Sequence, residues 1–495
     1  MVPWLLALLG GLVSVLAYPP FGPGLLIVGG VALFLAAIRV SEDPRQGVLV
    51  SSVYALGFFG GLLWWLSELE LLALVLVPAQ ALYFVVFGWW LSRQNHRPPV
   101  EWVSLAVGGW ALTEVIRYRF PVGGFEWGAA GYALSDNIFT RLPASVIGTS
   151  GLTVLVVILG AVLASAMARR FDPRLGWSAV IVLAVLLSTG VSFLFNGFVY
   201  RGLAHVAVVQ GSTPCPFEHC PPDERLRTFE QHLELTRTLA PGTTDLVVWS
   251  EGSTGSFNAD PVQNPEVGEA IAEEARRIGA WFLVGSDRPI SDTHWVNANV
   301  VFTPEGDIVG EYRKQHPVPF GEYIPWRPLF DWIQALDQVP RDMIPGDGPV
   351  VFDVGDYWLG SVISFEGGFA RYALQHRRAG ADIIVVATNE GSYGLTPASD
   401  QFIGMTRMRA AELGVPLVHA AVTGKSTVVD PFGDIKQTTG LGTAEILIQG
   451  LTTPRETPFT VIGDLLMYLA VVIGAIVWWG PERLVGSTQQ STEEE

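Results

Sequence analysis

The chain has 495 residues, of which only 16% are charged, and it carries 17 Trp and 26 Phe. A soluble protein carries about 25% charged residues, so a wholly water-exposed surface is excluded and a large lipid-facing fraction is expected. The net charge of −17 argues against nucleic acid as a partner, because phosphate binding needs clustered Lys and Arg.

Residues 1–200 are a series of apolar runs, each near the ~20 residues that a membrane helix needs. Seven are predicted to span, at 3–17, 22–40, 47–66, 70–92, 100–117, 146–168 and 176–196, and an eighth at 460–480. The first lacks a basic leader and a small-residue cleavage site, so it reads as a span and not a signal peptide. The stretch 117–145 holds Arg117, Arg119, Glu126, Asp136 and Arg141 among Phe, Trp and Gly. It reads as an outer loop dipping into the membrane interface, its charges either meeting lipid headgroups or capping helix ends.

Loop arginines set the orientation. With the N-terminus inside, Arg39, Arg45, Arg93, Arg97, Arg169, Arg170, Arg174 and Arg483 are cytoplasmic, and Arg117, Arg119, Arg141 and Arg201 are outside. Residues 203–455 then lie outside the cytoplasm. The predicted domains are a membrane domain at 1–200, an extracytoplasmic domain at 203–455, the eighth span within 456–482 and a polar cytoplasmic tail at 483–495.

The extracytoplasmic stretch is predicted to be α/β, because short β-type runs alternate with amphipathic helices. Strands are expected at 205–210, 245–250, 281–286, 298–303, 308–312, 357–363, 382–388 and 416–421. Helices are expected at 223–239, 265–278, 367–379 and 400–413. After residue 203 acidic side chains outnumber basic ones two to one, as suits an exposed domain. Both cysteines, Cys215 and Cys220, lie in one Pro-rich loop, TPCPFEHCPP. A local disulfide, free thiols and a weak metal set with His219 are the three readings; no metal or cofactor is expected.

Three segments place a reactive group just past an apolar strand, where a rigid element fixes it and a loop leaves it accessible. DLVVWSEGS ends near Glu251. GEYRKQHPVPFGEYIP carries Lys314 and Glu322. LGSVISFEGGF carries Ser364 and Glu366. The chain has three lysines, Lys314, Lys425 and Lys436, among many arginines. A lysine inside an aromatic, Pro-rich turn suggests work a guanidinium cannot do, such as proton exchange or a compact point charge.

Together these segments resemble the Glu-Lys-Cys catalytic set of the nitrilase superfamily. KQHPVPFGEYIP resembles the lysine loop of apolipoprotein N-acyltransferases, and TNEGSYG with the following QFIGMTRMRAAELGVPLVHAAVTGKSTVVDPFGD resembles the C-terminal half of that family's nitrilase domain. Seven spans before this domain and one after it match the family layout. The resemblance implies a polytopic α-helical membrane domain of eight spans plus a nitrilase-like four-layer α-β-β-α sandwich, working as a monomer in the plasma membrane. It implies ping-pong transfer of an acyl chain from a phospholipid donor to the α-amine of a diacylated lipoprotein. Glu251 maps to the general base, Lys314 to the oxyanion-stabilising cation, Glu322 to the supporting glutamate, and Glu366 and Tyr393 to further supporting positions. A membrane-tethered amidase of the nitrilase superfamily is the competing enzyme class.

The sequence departs from the family at the nucleophile. Where members commonly read Cys-Tyr-Glu, this chain reads Ser364-Phe365-Glu366. A thiol with pKa about 8.5 ionises readily beside a base, whereas a hydroxyl needs proton removal concerted with attack. Three readings stand: an introduced serine that traps one state, a natural serine that still acylates, and a natural relative that binds lipid or lipoprotein without acylating it. The pocket is expected to open towards the membrane, lined by apolar loops at 320–326 and 391–395 with 120–127 beneath, because each CH₂ left in water costs about 0.8 kcal/mol.

Overall fold

A computed structural model describes residues 2–69, 71–170, 172–177, 180, 182, 184, 202–215, 222–330 and 332–480. The predicted seventh span, save a few positions, falls outside the described residues, as do Cys220 and the tail 483–495. The chain divides into two compact units, Met1–Asn196 with Ile462–Glu495, and Gly197–Val461.

The first unit is helical: α1 (Pro3–Leu16), α2 (Leu26–Arg39), α3 (Pro44–Leu62), α4 (Leu76–Ser92), α5 (Pro99–Arg117) and α6 (Ala144–Met167), joined by a helix from the far end of the chain described below. Among the described residues two stretches are both long and apolar enough to cross a bilayer, Ala73–Ser92 and Ala144–Met167; α1 and α2 are shorter apolar helices. Starts follow local chemistry: Asp43 accepts the Gln46 N–H at 2.8 Å ahead of Pro44, a cap followed by proline at the first helical position. Aromatic rings fill the interior, with Phe34 stacked on Tyr54 at 3.9 Å and Trp110 edge-on to Phe84 at 5.0 Å.

The stretch 117–145 differs from the interfacial loop expected of it. Arg117 is buried, pairs with Glu114 at 2.7 Å and donates to the carbonyls of Phe125 and Trp127 at 2.8 and 2.9 Å. Buried Arg141 donates to the Ser135 carbonyl. A guanidinium has five donors, and here they satisfy the carbonyls of a loop folded into the helical unit. Phe125 and Trp127 are buried with it, while Phe120 is exposed.

The second unit opens with β1 (Gly202–Gln210), α7 (Pro222–Arg237), β2 (Leu246–Trp249), α8 (Pro265–Ile278), β3 (Trp281–Pro289), β4 (His294–Phe302) and β5 (Ile308–Arg313). It continues with β6 (Asp342–Met343), β7 (Val351–Asp353), β8 (Trp358–Ile363), α9 (Ala370–Arg378), β9 (Ile383–Thr388), α10 (Ala398–Leu413), β10 (Leu417–Ala421), β11 (Thr427–Val429), β12 (Ile435–Thr438) and β13 (Glu445–Thr452). The apolar α11 (Leu465–Trp478) then returns to the helical unit and packs on α5, where a Cβ on Gly108 would lie 2.6 Å from the Gly474 Cα. Small residues at such a crossing let the backbones approach closely.

One sheet runs β13-β1-β2-β3-β4-β5, with β6 beside β4, and the other β12-β11-β10-β9-β8-β7. Strands β1, β2 and β3 are parallel, as are β8, β9 and β10; their edges are antiparallel. The sheets meet face to face through Val206, Val248, Leu283, Val301 and Tyr312 from one and Leu359, Ile363, Val385 and Val418 from the other. Fully burying such a side chain is worth about 1.5–3 kcal/mol. Outside the first sheet lies α8, whose Val267, Ile271, Ala275 and Ile278 recur at helical spacing and pack on Val247, Trp249 and Phe282. Asn264 caps that helix and left-handed Gly279 ends it. Helices α9 and α10 cover the second sheet. The α-β-β-α layering is therefore present. The strands β6, β7, β11, β12 and β13 are additional to those expected: β12, Ile-Lys-Gln-Thr, is exposed along its length, so it carries no apolar alternation to read.

Candidate active site

Period-two alternation turns the core pattern into a site. On β5, Tyr312 sits in the core between the sheets, so Lys314, two residues on, points to the same inner face. Val301 of β4 leads likewise to Asn299 and Asn297, Leu283 of β3 to Gly285 and Asp287, and Leu359 of β8 to Ser361 and Ile363. Polar side chains thus enter the inner face beside the core: Lys314, Asn297, Asn299, Asp287 and Ser361.

Glu251 follows β2, on a turn closed by the Ser253 N–H on the Ser250 carbonyl at 3.2 Å. Gly285 makes room for it: a Cβ there would lie 2.2 Å from the Ser250 carbonyl oxygen. Glu251 Oε1 accepts from Asn297 Nδ2 at 2.7 Å and from Lys314 Nζ at 3.2 Å, and Oε2 accepts the Asn389 N–H at 3.1 Å. One carboxylate therefore bridges β4, the lysine loop and the end of β9 in the opposite sheet.

Lys314 is 1% exposed, and Nζ also donates to Glu322 Oε1 at 2.5 Å. Burial disfavours its charge, but Glu251 and then Glu322 outweigh that and raise its pKa above the usual lysine value, so the ammonium persists. Glu322 is held in turn by the Val318 N–H on Oε2 at 2.7 Å. Burial raises the Glu322 pKa, with Lys314 opposing and Glu251 adding to it.

Ser364 opens the turn after β8 and is half-buried, with φ at +52°. A non-glycine residue in the left-handed region is uncommon and concentrates at functional turns. Two residues on, buried Glu366 accepts four hydrogen bonds: from Ile363 N at 2.8 Å, Tyr312 Oη at 2.7 Å, Gln315 N at 2.5 Å and His316 N at 2.9 Å. Burial pushes its carboxyl up to about 7 against those donors. Glu366 thereby ties the Ser364 turn to the residues directly after Lys314. His316 is buried and donates to or accepts from Tyr372 Oη at 3.0 Å; burial, then Arg371 and Lys314, lower its pKa to about 3, so it is neutral.

The turn after β9 is the third wall. Glu390 is in the left-handed region, φ +60°, and is buried. Its carboxylate accepts from Ser399 Oγ at 2.5 Å and His419 Nε2 at 2.7 Å, which anchors the turn whose Asn389 N–H reaches Glu251. Tyr393 is half-buried; burial, then Glu390 and Glu251, raise its phenol pKa.

Glu251, Lys314 and Glu322 are thus in direct contact, with Ser364 linked to them through Glu366. Sequence reasoning missed Asn297, Asp287, Asn389, Glu390 and His419. The asparagines had a signal: Asn297 and Asn299 sit on the inward positions of a strand, where alternation calls for apolar side chains.

Residues 10–162 match the family described as apolipoprotein N-acyltransferase N-terminal domain, and residues 205–457 match carbon-nitrogen hydrolase. The apolipoprotein N-acyltransferase of Geobacter metallireducens is 29% identical across 96% of this chain and 94% of its own. That of Rhizobium meliloti is 30% identical across 86% of this chain and 85% of its own. Among solved structures, an amidase from Nesterenkonia sp. is 16% identical, with a TM-score of 0.41 over 55% of this chain and 99% of that one. With both domains matched in one chain and relatives aligned across most of their own length, the chain belongs to the apolipoprotein N-acyltransferase family.

Proposed function

We propose that the protein transfers an acyl chain from a phospholipid to the N-terminal amine of S-diacylglyceryl-cysteine lipoproteins, through an ester on Ser364. The observation that carries this reading is a buried ammonium, Lys314, held between Glu251 and Glu322 in a chain of this family. Ser364 Oγ attacks the phospholipid ester while Glu251 takes its proton. Lys314 stabilises the oxyanion, a contribution worth about 10²–10³ in rate for a single preorganised donor. The intermediate collapses to acyl-Ser364, and Glu251 returns the proton to the departing lysophospholipid alkoxide. The lipoprotein amine then attacks the ester, Glu251 accepts the amine's proton, and Ser364 Oγ leaves and is reprotonated. Two half-reactions spare the site from holding both lipids at once.

The reading includes eight spans, a plasma-membrane location and an extracytoplasmic position for residues 203–455. A disulfide at Cys215 supports the oxidising side. The loop after Lys314 exposes Phe320, Trp326, Leu329 and Trp332, and the turn after β9 exposes Leu395. Exposed aromatics of this kind favour a membrane interface, and they support a lipid donor over the small amides of a soluble amidase.

Ser364 favours a second reading, in which the site binds lipid and lipoprotein without acylating. One experiment decides. Purified protein is incubated with phospholipid and a diacylated lipopeptide, and the triacylated product is followed by mass spectrometry beside Ser364→Cys and Ser364→Ala. Transfer predicts product from the protein with Ser364, at least about tenfold more from Ser364→Cys because the thiol ionises more readily, and none from Ser364→Ala. Product from Ser364→Cys alone establishes the non-acylating reading.

A further inference from the structure

Strands β3 and β4 put Asp287 directly opposite Asn297. Opposite residues of an antiparallel pair point to one face with Cβ atoms about 5 Å apart, and that face is the inner one, shared with Leu283 and Val301. The Asn297 amide is oriented by its partner. Nδ2 donates to Glu251 Oε1 at 2.7 Å; an ionised carboxylate only accepts, so Oδ1 is directed elsewhere. That Oδ1 is buried without a hydrogen-bond partner, and so is Asp287 Oδ1, although Asp287 as a residue is partly exposed. Two bare acceptors on facing positions are unfavourable unless a proton lies between them.

We propose that Asp287 is a neutral carboxylic acid that donates to Asn297 Oδ1, so that the chain Asp287–Asn297–Glu251 orients the general base. This rests on Glu251 being that base. The charges around Asp287 agree with it: Glu251 after β2 and Glu322 and Lys314 after β5, with Asp260 before α8 contributing least because it is turned to Ser286 and Arg288 on the other face. Two carboxylates on this side, Glu251 and Glu322, stand against one ammonium, which they already engage. The neighbouring Arg288 offers no relief, because it lies on the other face against Glu311 and Asp260. Burial, then Glu251 and Glu322, push the Asp287 carboxyl up to about 8. Asp287 is a positioning residue: it acts on the base through Asn297 and touches no reacting atom.

The test uses the full chain in detergent and two readouts. Infrared spectra with isotope-labelled aspartate should show a protonated carboxyl stretch near neutral pH that is absent from Asp287→Asn and lost above about pH 10, beyond the usual range of a raised carboxyl. In a Ser364→Cys background, iodoacetamide alkylation reports how well Glu251 activates the thiol. There Asp287→Ala should slow alkylation about tenfold near neutral pH, a small part of what general base catalysis supplies. Asp287→Asn, whose amide also donates, should stay within about twofold. Absence of the protonated aspartate band overturns the proposal, and so does an Asp287→Asn rate as low as that of Asp287→Ala. The band with equal alkylation in every Asp287 variant overturns the positioning role. Unchanged alkylation in Glu251→Gln instead overturns the reading of Glu251 as base.

Discussion

The Glu366 carboxylate accepts the His316 backbone N–H at 2.9 Å, so the turn that carries Ser364 is stapled to the loop that carries Lys314. Ser364 and Lys314, the proposed nucleophile and oxyanion cation, follow strands of different sheets, and a buried four-bonded carboxylate ties their turns together. Glu366→Ala leaves Tyr312 Oη and three backbone N–H groups without their acceptor. At about 1–3 kcal/mol for each unsatisfied buried group, less what water recovers, a loss of at least about 3 kcal/mol is expected. Thermal unfolding should show a lower Tm and the acyl-transfer assay no product. A Glu366→Ala protein with unchanged Tm would show the staple to be dispensable.

Lys314→Met leaves Glu251 and Glu322 facing each other, buried and uncompensated. Loss of the oxyanion cation is expected to lower the transfer rate by about 10²–10³. Lys314→Arg should not restore it, because a planar fork does not fit where a compact ammonium lies 2.5 Å and 3.2 Å from two carboxylates. Both variants are compared by single-turnover acylation, and an arginine variant with full rate contradicts the point-charge argument.

Glu390 and His419 form a fully buried pair at 2.7 Å. Removing one partner of a buried hydrogen bond and leaving the other unsatisfied costs about 1–3 kcal/mol. His419→Ala should therefore lower Tm and slow acylation through the Asn389 turn, although His419 makes no contact with Glu251. Denaturation and acylation measured together test this; a destabilised variant with wild-type rate in its folded fraction separates the turn from the site.

The raised carboxyls make stability depend on pH. Glu366 and Asp287 are pushed up to about 7 and about 8, above their ordinary values of 4.5 and 3.8. The folded state therefore binds protons more tightly than the unfolded chain. The stability this contributes is complete below the unfolded pKa values and is lost as pH rises through the folded ones. Tm should be lower near about pH 9 than near about pH 6, and Asp287→Asn should narrow that difference by removing one titrating group. Scanning calorimetry or fluorimetry across that window is the check, and an equal slope in wild type and Asp287→Asn contradicts it.

Some of this was legible without coordinates because it depends on local chemistry. Apolar runs mark helices, alternation marks strands, and a reactive residue just after a strand marks a site. Glu251, Lys314, Glu322, Ser364 and Glu366 were each visible in that way. The partners of these residues were not. Asn297 and Asp287 become neighbours only through the β3–β4 register, and the Asn389 N–H meets Glu251 only because the two sheets face each other. The stretch 117–145 read as an outer loop dipping into the membrane interface because sequence shows that Arg117 is charged, but not that folded carbonyls surround it. The sequence by itself determined which groups are candidates for the chemistry, since residue type and local periodicity are properties of a single strand and its turn. Only the tertiary structure decided how Lys314 is shared between two carboxylates and which asparagine bonds Glu251, because register and sheet-on-sheet packing join residues that are far apart in the chain.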